Sequence, residues 1–164
     1  MLRGVDGFPV TIQLVRIGVW DRLLRWHSHT QPLCGGRTPD QVARLLAGLV
    51  EGPADGGVVL HSTSWRHDGA QVVLTYALFP ADDARVSWQP LHEHLAVCQG
   101  PLHPSPEHVR DRHVAAHAAR HLADLAAGRD PHLTRCAELR PYDWHLLQAH
   151  AATVHVHPSV VAAG

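Results

Sequence analysis

Lysine and asparagine are missing from this 164-residue chain, and methionine occurs once. All 14 basic residues are therefore arginine, a skew that reads, with the abundant alanine, glycine, proline and valine, as the codon bias of a GC-rich genome. Without a lysine ε-amino group, Schiff-base catalysis and the phosphate-cradling lysine of a P-loop are excluded. Cysteine is scarce: Cys34, Cys98 and Cys136 lie far apart with no C-x-x-C, so free thiols are expected rather than a disulfide framework or a zinc ribbon. No apolar run approaches the roughly 20 residues that span a bilayer, and the opening MLRGVDGFPV lacks the regions of a secretory signal. A soluble, cytoplasmic protein with no membrane partner is the expectation. An excess of either charge is also lacking: the net charge is −1 and the arginines are dispersed, so no nucleic-acid partner is expected.

What is present is enough for a core. Hydrophobic residues make up 45% of the chain and charged residues 18%, which favours a folded globule over disorder. With no internal repeat or low-complexity linker, the chain reads as a single domain, 1–164, with a sheet-containing part (1–98) and a helical part (99–164). Residues 10–19 (VTIQLVRIGV) are rich in β-branched side chains and read as a strand. Residues 26–36 (WHSHTQPLCGG) carry Pro32 and Gly35-Gly36 and read as a loop. Thr38 then caps a helix with Pro39 at its first position, and Val42, Leu45, Leu46, Leu49 and Val50 recur at helical spacing until Gly52-Pro53.

Two β-rich runs, VVLHSTSWRH and AQVVLTYALF, flank Asp68-Gly69 and predict a hairpin with a type I′ turn. With Asp68 and Gly69 as the loop, Val59, His61, Thr63 and Trp65 form a core face opposite Leu78, Tyr76, Leu74 and Val72. The other face is polar near the turn. Residues 86–91 suggest a short strand ended by Pro90, and residues 92–98 a short helix. Ser105-Pro106-Glu107 opens a helix predicted to reach Ala127 with Gly128 as its cap, and residues 142–152 predict a last helix. The fold class is α+β: a mixed or antiparallel sheet with a central hairpin, packed by a short helix and C-terminal helices.

Two constellations could carry chemistry. On the polar hairpin face Ser62, Ser64, Arg66, Gln71 and Thr75 come together, and a guanidinium beside hydroxyls can bind phosphate or carboxylate. A solvated sheet face is the competing explanation. His61 and Ser62 point to opposite faces and no G-x-S-x-G elbow is present, so a Ser-His catalytic pair is disfavoured.

The chain also holds 16 histidines, more than codon bias alone explains. On the long helix Arg110, His113, His117, His121 and Asp124 form one ridge beside the apolar stripe of Val114, Ala118, Leu122 and Leu125. Histidines four apart can share a transition metal, zinc above all, so His113, His117, His121 and Asp124 are the alternative, metal-binding set. Three ligands from one straight helix cannot converge on one tetrahedral ion, so a ligand from elsewhere is required. The H-x-H pairs His27/His29, His92/His94 and His155/His157 are weaker candidates. Partly exposed or core-edge imidazoles are the plainer account of the whole set.

From Trp26 to Leu95 the order of elements resembles a Nudix domain: a strand and loop ending in Gly35-Gly36, a Thr38-Pro39-Asp40 helix entry, Gly52, the hairpin LHSTSWRHDGAQVVLTYALF and then VSWQPLHEHL. The resemblance implies that the family's arginine and magnesium-binding glutamates fall on Leu45, Leu46, Leu49 and Val50, all apolar here, with Glu51 the only acid nearby. Pyrophosphate hydrolysis in that family needs carboxylates to hold magnesium. The implied function is therefore a scaffold that binds a small molecule or protein partner, with no cofactor. The alternatives are a His-coordinated metalloprotein and a homo-oligomeric interaction protein.

Overall fold

The computed structural model describes residues 9–49, 56–83, 85–92, 109–128 and 130–154. Strand β1 (Val10–Trp20) is buried on both sides. Val10, Ile12 and Leu14 enter one apolar cluster, and Val15 and Ile17 enter a second on the opposite face. Its β-branched residues suit such a position, since alternate side chains leave opposite faces of a strand.

The next element corrects the expected loop over residues 26–36: strand β2 (Leu23–Pro32) returns antiparallel along β1, from Trp20 opposite Leu23 to Thr11 opposite Pro32. The tight turn between them is Asp21-Arg22, with φ of 52° and 63°. Both central residues thus adopt the left-handed conformation that a type I′ turn needs, without the usual glycine. Helix α1 (Pro39–Ala47) starts as predicted, with Thr38 and Gln41 forming a reciprocal capping box. It ends earlier than Gly52-Pro53, because Gly48 takes a left-handed φ of 72° and closes it.

The predicted hairpin is present as β3 (Val59–Asp68) and β4 (Gln71–Phe79). Its loop is Gly69-Ala70 rather than Asp68-Gly69, with Gly69 alone at positive φ, as in a type II′ turn. A β-bulge between Ser62 and Ser64 then changes the alternation, leaving Thr63 without a cross-strand partner. The expected core face is corrected with it: Val59 is buried, His61 is half-buried, and Trp65 is 65% exposed. Strand β4 runs parallel to β1, and β5 (Gln89–Pro90) adds two residues beside β2. The sheet order is β3-β4-β1-β2-β5, a mixed five-stranded sheet within an α+β fold. The short helix anticipated over residues 92–98 falls almost wholly outside the described residues.

Helix α2 (Asp111–Ala127) begins after Arg110, so the part of the predicted helix before residue 109 is also outside the described residues. Helix α3 (Pro131–Leu139), capped by Asp130, has no counterpart in the sequence expectations, and α4 (Pro141–Val154) matches the last predicted helix to within two residues at each end. Val114, Ala115, Ala118, Ala119 and Leu122 of α2 pack on Val15, Ile17 and Phe79, while α4 adds Trp144 and Leu147. Trp144 meets Phe79 edge to face at 5.1 Å. Helix α1 covers the other side of the sheet with Val42 and Ala43. Among the described residues, no helix is long and apolar enough to cross a membrane.

Candidate functional site

The β-bulge decides which polar side chains share a face. Ser64 lies opposite Thr75 and Arg66 opposite Val73, on the α2 side, whereas Ser62 lies opposite Tyr76, whose ring belongs to the α1 cluster. Of the five candidates, Ser64, Arg66, Gln71 and Thr75 therefore stay on one face and Ser62 leaves it. They do not form one open pocket. Gln71 accepts a hydrogen bond from Thr11 at 2.8 Å. Arg66 Nη1 donates to Gln13 Oε1 at 2.7 Å and lies 3.4 Å from Thr75 Oγ1.

Gln13 is fully buried, and sequence reasoning passed over it because a lone amide in a β-branched run carries no motif. Its amide passes the interaction on, with Nε2 donating to Asp111 Oδ1 at 2.9 Å. Ser28 Oγ donates to the other oxygen of that carboxylate at 3.1 Å. A polar line thus runs from β3 through β1 to β2 beneath the start of α2. It links a guanidinium to a carboxylate through an amide that satisfies both.

The histidine ridge is split. His113 accepts from the backbone N–H of Arg110 at the helix start, and Asp124 pairs with Arg120 at 3.7 Å. His117 and His121 stay together, with ring centres 6.2 Å apart and planes 23° from parallel. His61 on β3 joins them from outside the helix, its ring centre 5.4 Å from that of His121 at 25°. Burial, then repulsion from His61 and His117, holds His121 below the usual imidazole range, with Asp124 pulling the other way. The His121 ring is thereby biased toward its neutral form. Among the described residues no three His, Cys, Asp or Glu side chains are already gathered closely enough to hold a metal ion. His61 and Ser62 face opposite sides, so they form no catalytic pair.

A third region lies on the outer side of α1. Arg37, Gln41, Arg44, Leu45 and Leu49 line an open concavity of about 330 Å³. Leu45 is 57% exposed. The one carboxylate of α1, Asp40, turns toward the sheet and accepts from the Tyr76 hydroxyl. Burial, and then this bond and the charge of Asp40, push the Tyr76 hydroxyl well above its ordinary range. The C-terminal end of α1 is tied to β1, since the Arg16 guanidinium donates to the Leu46 carbonyl. Leu45 and Leu49 belong to the helical apolar pattern of the sequence, whereas Arg37, Gln41 and Arg44 carry no motif that marks them.

Cys34 is exposed and Cys136 buried, both as free thiols, and burial raises the Cys136 thiol above its ordinary range. No family model, curated protein or solved structure matches the chain.

Proposed function

We propose that this protein is a binding module whose ligand site is the outer surface of α1, where a small anionic, partly apolar molecule is held directly by arginine rather than through magnesium. One observation carries the reading: Arg37 and Arg44 border the concavity beside Leu45 and Leu49, while Asp40, the carboxylate of α1, is engaged by the Tyr76 hydroxyl. A hydrolase of the Nudix type needs several carboxylates here to hold magnesium. Arginines favour phosphate or carboxylate without a bridging cation, and the leucines favour an apolar body attached to it. The Nudix-like scaffold is part of the same reading, supported by the order of hairpin, loop, capped helix and second hairpin. We place the protein in the cytoplasm, a reading supported by the unpaired thiols of Cys34 and Cys136.

Calorimetric titration with nucleoside diphosphates, in EDTA and again with magnesium, tests this. Binding that is independent of magnesium, weakened about tenfold by Arg37→Ala or Arg44→Ala, and unaccompanied by hydrolysis is the expected result. Magnesium-dependent turnover, or binding indifferent to both substitutions, overturns it.

A further inference from the structure

The side of the sheet away from α1 carries a second arrangement of side chains, independent of the ligand reading above. We propose that Ser64, Arg66 and Gln71 form an open binding site for a phosphate group on the β3–β4 hairpin. All three leave the same face: Ser64 and Arg66 are two apart on β3, opposite Thr75 and Val73, and Gln71 lies diagonally across from Arg66 on β4, opposite Asp68. Each is half-buried. The guanidinium is anchored from the sheet side by Gln13 and Thr75, both fully buried, at 2.7 and 3.4 Å. Both contacts use Nη1, so the side-on pair Nε and Nη2, which matches two oxygens of an oxyanion, is left over. Gln71 is fixed in a similar way, because its Oε1 takes the Thr11 hydroxyl and its amide nitrogen stays unspent.

Among the described residues, Ser64 Oγ, Arg66 Nε and Nη2, and Gln71 Nε2 have no hydrogen-bond partner, yet none of these atoms is sealed from solvent. Four donor groups therefore stand ready on one face. The charge of Arg66 is not neutralised either, since it makes no ion pair among the described residues. Asp111 is reached only through the Gln13 amide, and Asp68, exposed at the turn on the same face, is not paired with it. Side chains two apart on a strand leave the same face about 7 Å from one another, a span that a phosphate bridges with a hydrogen bond of about 2.8 Å to each. The diagonal from Arg66 to Gln71 is about 7–8 Å, within reach of two long side chains. A phosphate places two oxygens on the Arg66 edge and offers a third to Ser64 or Gln71. A carboxylate has no third oxygen to offer, which makes phosphate the better match.

The test follows the full-length chain by proton–nitrogen NMR during titration with inorganic phosphate, and separately with acetate at matched ionic strength. Phosphate should shift the Arg66 Nε–H and the Gln71 side-chain amide together and saturably, with acetate weaker by about fivefold or more. Ser64→Ala should weaken phosphate about threefold. Arg66→Lys keeps the charge but loses the side-on pair, and should weaken it about tenfold when followed at the Gln71 amide. Circular dichroism checks that each variant is folded, and the shifts in the unsubstituted protein stand whether or not a variant folds. Replacing Arg37 and Arg44 together by alanine should leave the Arg66 titration within about twofold, which separates this site from the one on α1. Absence of a saturable shift at Arg66 or Gln71, acetate binding as tightly as phosphate, full affinity in Arg66→Lys, or loss of the Arg66 titration on replacing Arg37 and Arg44 overturns the proposal.

Discussion

Gln13 shows how much one uncharged side chain can hold in place. Fully buried in β1, it accepts from Arg66 on one side and donates to Asp111 on the other, so each group's partner depends on it. Gln13→Leu preserves volume but removes these bonds and the one Thr75 Oγ1 donates to Gln13 Oε1 at 3.4 Å, leaving the Thr75 hydroxyl proton and parts of Arg66 and Asp111 without partners. A loss of about 2–3 kcal/mol is expected in urea denaturation, the range for stranding buried polar groups. Tyr76 makes a different prediction through its bond to Asp40. Its folded-state ionisation lies well above the ordinary value of about 10, so its contribution is complete below pH ~10 and declines as pH rises further, where only the unfolded chain ionises. Tyr76→Phe should lower stability near neutrality by about 1–2 kcal/mol. The decline of stability above pH ~10 should also be shallower in the variant, which denaturant midpoints at two pH values would show.

At the scale of elements, the turns explain what the sequence made legible. The Thr38 cap, the strand β1 and the existence of the β3–β4 hairpin could all be read, because each has a local chemical signature. The hairpin's turn was placed one residue early, which displaced its partners by two and left the faces unchanged. The bulge at Ser62/Ser64 had no such signature, yet it exchanged His61 for Ser62 on the α2 side and so created the row of three imidazoles. Strand β2 was unreadable for a related reason: its turn, Asp21-Arg22, uses two residues that announce nothing, and its outer half alternates histidine with serine and threonine. Arg22 bears a side chain in a left-handed conformation that costs most residues about 1–2 kcal/mol. Arg22→Gly should therefore raise the unfolding free energy by about 1 kcal/mol, seen as a higher thermal midpoint.

In the molecule as a whole, two hairpins are joined along one parallel boundary, β1 against β4, with α1 on one side and α2 with α4 on the other. The two candidate sites occupy opposite faces of this sheet, so substitutions in α1 and at Ser64, Arg66 or Gln71 should act separately. Each hairpin closes between neighbours in sequence, but the boundary pairs Val10 with Val72, residues far apart along the chain. Chain entropy must be overcome before that pairing returns any stability. Val15→Ala, a fully buried truncation at the boundary, should cost about 2–3 kcal/mol and, in stopped-flow refolding, slow the forward rate more than it speeds unfolding. The speed limit of assembly is then set by the meeting of two ready-made halves, and a nascent chain stays unfinished on its first hairpin until Phe79 has been synthesised.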